Sequence, residues 1–191
     1  MACDAVKRTT DALVAGAALL TLALPLAGLA ALVRLSSPGP AIHWSKRVGR
    51  NSRIFLMPKL RTMRIDTPQV ATHLMTDPDK WLTPIGGFLR RSSLDELPQL
   101  WSVLVGQMSL VGPRPALFNQ DDLVALRVQA GVDALRPGLT GWAQVNGRDE
   151  LPISEKVRLD CEYLRRRGLL FDLRIMMMTL AKVVRRQNVR F

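Results

Sequence analysis

The sequence predicts an α+β fold, mostly helical: an N-terminal membrane helix broken by a proline, then a compact domain with a small antiparallel β-hairpin. Three observations carry this. No charged residue lies between Asp11 and Arg34, a stretch long enough to reach across the hydrocarbon layer of a bilayer. Segments 41–48 and 53–57 have strand-like content and flank the turn-forming run Gly49-Arg50-Asn51-Ser52. Beyond residue 90, apolar residues recur at helical spacing in several separate segments. The length of 191 residues fits one compact domain plus an appendage, and a 48% apolar content supplies a core.

The first element occupies residues 1–35. Pro25 sits near the middle of its apolar run, where it removes a backbone hydrogen bond and bends the helix. Lys7 and Arg8 precede the run, and Arg34, Lys46, Arg47, Arg50 and Arg53 follow it. Both flanks therefore carry the charge of cytoplasmic ends, which a re-entrant hairpin satisfies, with an ordinary single span as the alternative. A cleaved signal peptide fits less well, because the chain lacks the paired cysteines of a disulfide scaffold. Residues 36–191 then form a cytoplasmic domain with amphipathic helices at the membrane surface.

Ser36-Ser37-Pro38-Gly39-Pro40 reads as the exit from the bilayer. In the hairpin, Pro58 ends the second strand or confines it to an edge, just before Lys59. Residues 66–84 read as a loop with a short helix around Val70 to Met75. The segment Arg90-Arg91-Ser92-Ser93-Leu94-Asp95-Glu96-Leu97-Pro98-Gln99-Leu100 follows. Ser93 and Glu96 have capping-box spacing, and Leu94, Leu97, Trp101 and Leu104 form a helical face. Asp95 then falls in the first turn, where free N–H groups hold a carboxylate ionised and attract phosphate. Acidic residues also occupy first turns simply to stabilise them, so the pattern alone does not define a site.

Downstream, the Gly and Pro residues of Val105 to Pro115 fix Arg114 in a rigid turn. A helix is predicted for Asn119 to Ala130, with Leu123, Leu126 and Ala130 on one face. Arg136 to Gly147 reads as an ordered loop. Two closing helices run from Ser154 to about Arg166 and from Asp172 to about Arg186, each opening with a capping side chain. The second carries a stripe of Ile175, Met176, Thr179, Leu180, Val183 and Val184.

Several function classes are disfavoured. Two histidines, two distant cysteines and no Walker or G-x-G-x-x-G pattern leave zinc, triad and nucleotide-fold chemistry unsupported. The charge of +11 implies an anionic partner. No nucleic-acid partner is expected, because no helix-turn-helix, RNP, KH or zinc pattern is present. From Arg34 to Arg64 there are basic but no acidic side chains, beside the membrane segment, which favours anionic membrane lipids.

The run from Leu89 to Pro115 resembles the signature of the bacterial sugar transferases, the monotopic phosphoglycosyl transferases. Lys59-Leu60-Arg61-Thr62-Met63 upstream and Arg136 to Arg148 downstream extend the resemblance to nearly the whole chain. It implies an enzyme of the bacterial inner membrane, catalytic domain toward the cytoplasm, that moves a sugar-1-phosphate from a UDP-sugar to undecaprenyl phosphate and releases UMP. Asp95 is the implied nucleophile, Glu96 its partner, and Mg2+ the cofactor held at Asp95 and Glu96. Arg90 and Arg114 grip phosphate. Lys59, Arg61, Arg148 and Asp172 match further family positions, with structural roles equally open, including a helix cap for Asp172. The re-entrant helix with its break at Pro25 is also implied, although Leu24 stands where the family has serine. Gln107 replaces a frequent family aspartate, and the family's aromatic and glutamine near His43 to Ser45 are replaced. Among the smaller members the donors are often UDP-linked N-acetylated amino sugars, so that donor class is expected here. A homo-oligomer is compatible with this reading, and a non-catalytic membrane scaffold is its alternative.

Overall fold

The computed structural model describes residues 2–67, 77–147 and 151–184. Helix α1 spans Ala2–Ser36 and carries Pro25 inside it, so the proline does not end the element as the expected break implied. Pro25 leaves the Thr21 carbonyl without its helical donor. One turn earlier the Thr21 hydroxyl donates to the carbonyls of Ala17 and Ala18, both at 3.1 Å. This back-bonding bends helices. Leu20 and Leu24, near the proline, are 81% and 86% exposed.

Both ends of α1 meet the rest of the chain. Near its start, Lys7 donates to Asp172, Arg8 to the carbonyls of Val103 and Leu104, and Ser109 to Asp11. Near its end, Val33 is fully buried against Leu60 and Leu89. A straight crossing would place one of these ends on the far side of a bilayer, away from the domain. Residues Lys7 and Asp11 are thus integral to the fold.

Strands β1 (Ile42–Val48) and β2 (Ile54–Leu60) pair antiparallel, with Ile42 opposite Leu60, His43 opposite Lys59 and Val48 opposite Ile54. Asn51 and Ser52 turn the chain with φ of 54° and 57°. Asparagine tolerates that left-handed conformation well. Strand β2 runs through Pro58 to Leu60, beyond the expected end at Met57. Each strand of a two-stranded sheet has an unpaired edge, where the missing proline N–H costs no ladder bond. Because side chains alternate, His43, Ser45 and Arg47 share a face with Phe55, Met57 and Lys59. The expected short helix at Val70 to Met75 lies outside the described residues; a 3-10 turn spans Pro78–Trp81.

The helix expected from Ser93 is two pieces. After α2 (Gly86–Arg91), Ser93 is left-handed (φ 57°) and its side chain makes no cap bond, so there is no capping box. Leu94–Glu96 form a 3-10 turn, and α3 (Gln99–Leu104) starts after Pro98. Pro98 has no N–H to offer Leu94, so the α ladder cannot run on. The buried side of α3 is Gln99, Leu100, Ser102 and Val103, and Trp101, expected on the apolar face, is 52% exposed.

Strand β3 (Ser109–Val111) pairs in parallel with β4 (Gly138–Thr140), and α5 (Trp142–Asn146) follows. The segment predicted as an ordered loop is therefore a strand and a short helix. Three glycines allow the approach. A Cβ on Gly138 would lie 2.1 Å from the Gly112 nitrogen, and one on Gly141 2.0 Å from the Gly112 oxygen. Gly138→Ala is expected to lower stability by about 2 kcal/mol or more, through overpacking against backbone that cannot move aside. Thermal unfolding would show it, and an unchanged melting temperature would refute it.

Helix α4 is Asp121–Gln129, with Leu123 buried and Leu126 39% exposed. Helices α6 (Ile153–Arg166) and α7 (Leu169–Val184) close the chain. Neither opens on the expected cap: Pro152 precedes α6, and α7 starts three residues before Asp172. On α7, Ile175 is buried and Thr179 bonds Thr140 at 2.6 Å, whereas Leu180 and Val183 point outward. Leu170, Leu173 and Met177 join them, giving α7 two apolar faces. The main core gathers Ala15, Met57, Leu100, Val103, Met108, Val111, Tyr163 and Ile175.

Candidate active site

Asp95 sits in the 3-10 turn between α2 and α3 and is 7% exposed. An isolated buried carboxylate is costly unless cations compensate it. Three do so. Lys59 comes from β2, Arg90 from the last turn of α2, and Arg114 from the turn after β3, and each pulls the Asp95 pKa down. Burial and the neighbouring Glu96 outweigh them, so Asp95 is pushed up from 3.8 to about 6. It is still mostly ionised at neutral pH.

The two arginines are anchored. Arg90 Nε donates to Thr62 Oγ1 at 3.0 Å. Thr62 is itself held where Thr83 N donates to its carbonyl at 2.9 Å and where α2 packs so closely that a Cβ on Gly86 would lie 2.1 Å from that oxygen. Arg114 pairs with Glu96 Oε1 at 2.9 Å. Its carbonyl accepts from Arg127 at 2.8 Å, and Arg127 is locked by the buried Asp160 at 2.7 Å. Lys59 lies across from His43. Burial first, then Arg47, pushes Lys59 down from 10.5 to about 8, and Asp95 and Glu96 partly restore it. Burial, Lys59 and Arg47 likewise push His43 down.

The structure thus joins Asp95, Glu96, Lys59, Arg90 and Arg114. It moves two other candidates elsewhere. Arg61 is buried and ties β2 to the exit of α1: it donates to the carbonyls of Pro38 and Ser37 and to Ser37 Oγ. Every one of those partners is structural, which favours, of the two roles open to Arg61, a brace over substrate binding. Asp172 accepts from Lys7 at 2.6 Å and from the buried Tyr163 hydroxyl at 2.8 Å. It joins α1, α6 and α7, which favours the structural role over substrate binding, and it does not cap α7, which starts at Leu169. Arg148 lies outside the described residues. Gln107 is exposed in the turn before β3.

Two residues at this site were missed. Arg47 and His43 share the Lys59 face of the hairpin, and period-two alternation from Lys59 across the turn would have found them. Among the described residues no group of three or more His, Cys, Asp or Glu could hold a metal. The adjacent carboxylates Asp95 and Glu96 are the donor pair available, which suits an ion completed by ligand oxygens rather than a protein cage.

A buried carboxylate beside a second one, ringed by cations at the foot of an apolar helix, is an arrangement that can hold an anionic group such as phosphate. The chain belongs to the bacterial sugar transferase family, whose pattern matches residues 2–186. It is 42% identical over 199 residues to a UDP-glucose:undecaprenyl-phosphate glucose-1-phosphate transferase of Caulobacter vibrioides, covering 98% of this chain and 73% of that one. A protein of the same name from Xanthomonas campestris pv. campestris is 40% identical over 186 residues, covering 93% of this chain and 38% of the relative. An uncharacterized sugar transferase, EpsL, of Bacillus subtilis is 38% identical over 160 residues, covering 84% and 78%. The chain spans about two fifths of the length of several of the curated relatives it matches.

Proposed function

We propose that the chain is a membrane-bound transferase that moves a sugar-1-phosphate from a UDP-sugar to undecaprenyl phosphate. The observation that carries this is Asp95, buried yet ionisable near pH 6, at the centre of Lys59, Arg90 and Arg114. A carboxylate attacking a diphosphate meets charge repulsion that fixed cations offset, and three of them already face the attacking group. An Asp95 oxygen bonds to the sugar-bearing phosphorus as the bond to the bridging oxygen breaks, and UMP leaves with that oxygen. A phosphate oxygen of the lipid acceptor then attacks the same phosphorus. The acyl phosphate bond breaks, Asp95 returns as carboxylate, and the product is a polyprenyl-diphosphosugar. This is covalent ping-pong chemistry.

Arg114 bridges Glu96 and the phosphate site, and Arg90 and Lys59 flank the nucleophile. Asp95 and Glu96 are the residues that would hold Mg2+, whose charge would neutralise the diphosphate. In this reading α1 enters and leaves the inner membrane on its cytoplasmic side; the contacts of both its ends with the domain support it. The amino-sugar donor expected from chain size stands against relatives named for glucose and galactose.

The test is UMP release by detergent-solubilised protein with Mg2+ and undecaprenyl phosphate, across UDP-glucose, UDP-galactose and UDP-N-acetylated amino sugars. Without the acceptor, label in the sugar-bearing phosphate should remain on the protein as a hydroxylamine-labile adduct. If folded protein releases no UMP from any donor, the site does not transfer sugar phosphate and the scaffold alternative stands. Strict preference for a neutral hexose would remove the amino-sugar expectation alone.

A further inference from the structure

A second cationic site lies away from the Asp95 centre. Arg8 of α1, Arg50 of the hairpin turn and Arg136 before β4 line one cleft, together with Lys7 and Arg167. The carboxylates in the same lining are Asp4 and Asp11. Both are engaged: Asp4 pairs with Arg167 at 3.2 Å, and Asp11 accepts from Ser109 at 2.7 Å and lies 3.8 Å from Lys7. Lys7 is held further by Asp172 at 2.6 Å.

That leaves the three arginines. Among the described residues none of them has a carboxylate within ion-pair distance. Arg8 donates to the carbonyls of Val103 and Leu104 at 2.7 and 2.6 Å, and Arg136 Nε to that of Gly106 at 3.0 Å. These bonds fix the guanidinium groups without neutralising them. Burial and the nearness of Arg50 and Arg8 push the Arg136 pKa down, and Asp11 and Asp4 only partly oppose this. Three elements distant in sequence thus bring like charges into one cleft, an arrangement that costs free energy until an anion fills it. Planar guanidinium forks match phosphate oxygens in particular.

Position narrows the phosphate to one source. Arg8 lies three residues before Asp11, where the uncharged run of α1 begins, so the cleft sits at headgroup depth if α1 is embedded. We propose that Arg8, Arg50 and Arg136 form a binding site for the phosphate of an anionic phospholipid, separate from the reacting centre, that docks the start of α1 at the membrane surface. The placement rests on the membrane reading of α1 and not on the transfer chemistry. None of the three arginines acts on Asp95.

The test titrates short-chain phosphatidylglycerol or phosphatidylcholine into the full detergent-solubilised chain and reads bound lipid by native mass spectrometry. Wild type should bind phosphatidylglycerol the more tightly. Arg50→Gln/Arg136→Gln should weaken that binding by on the order of tenfold. The control Lys80→Gln/Arg158→Gln, an equal charge change at exposed positions elsewhere, should not. Should the double variant fold poorly, Arg50→Gln alone, on an exposed turn, should still weaken it roughly fivefold. Equal binding by variant and wild type, or an equal loss in the control, overturns the site. Full competition by millimolar inorganic phosphate or UMP overturns the lipid assignment in favour of a soluble phosphate. UMP release measured on the same variants is expected to persist in detergent, so failure of the lipid site and failure of the transferase reading give different results.

Discussion

Asp95→Asn is expected to abolish UMP release and, at neutral pH, to make the fold more stable. Removing a covalent nucleophile costs roughly 10^4-fold or more in turnover. Asparagine keeps the shape of the side chain, so the loss isolates its chemistry. The stability gain follows from the pKa. In the folded chain Asp95 is raised from 3.8 to about 6, by burial first and Glu96 second, with the attraction of Lys59, Arg90 and Arg114 already counted against them. The folded state therefore holds the Asp95 proton more tightly than the unfolded state does. Its stabilising effect is complete below pH 3.8 and is lost as pH rises to about 6. At pH 7.5 the ionised carboxylate costs roughly 3 kcal/mol by that shift, and asparagine does not incur the cost. Melting temperatures of both proteins at pH 7.5 and pH 4 check this. The variant should melt higher at pH 7.5 and lose most of its advantage at pH 4. A variant less stable at pH 7.5 would show that Asp95 serves the fold rather than a reaction.

That site was legible in the sequence because its charged residues cluster in short motifs. Asp95, Glu96 and Arg90 fall within seven residues, and the glycines around Arg114 mark a turn that the structure uses to fix it. The hairpin was legible from its alternation and its turn. Other features depended on long-range packing. Arg61 and Asp172 carry charges in motif-like positions, but Ser37 and Lys7 claim them, and nothing local foretells partners 24 and 165 residues away. The β3–β4 pair was hidden because strands of three residues are too short to show a period. Gly112, Gly138 and Gly141, read as loop residues, are instead where two backbones touch. The helix expected from Ser93 failed on Pro98, a breaker within the Arg90 to Leu100 segment, whose veto outranks the capping pattern and the apolar spacing.

Lys59 is expected to set the alkaline limb of the reaction and to help set the acid one. Plotted against pH, kcat/KM should be bell-shaped, rising as Asp95 ionises near 6 and falling as Lys59 loses its proton near 8. Both values come from one buried cluster, since Lys59 lowers Asp95 and Asp95 raises Lys59. Lys59→Met removes the first of the cations that favour the Asp95 carboxylate, so the acid limb should move to higher pH. The alkaline limb at about 8 should disappear, and the maximal rate should fall by about 10^2-fold or more, as for loss of one preorganised charge at a reacting phosphate. His43, which Lys59 also pushes down, should titrate higher in the variant. Lys59→Arg separates charge from titration: a guanidinium stays protonated throughout, so this variant should keep the acid limb near 6 and lose the alkaline one. An alkaline limb that persists near 8 in both variants would assign it to another group. An acid limb unmoved in Lys59→Met would mean that Arg90 and Arg114 alone hold Asp95 in its ionised form.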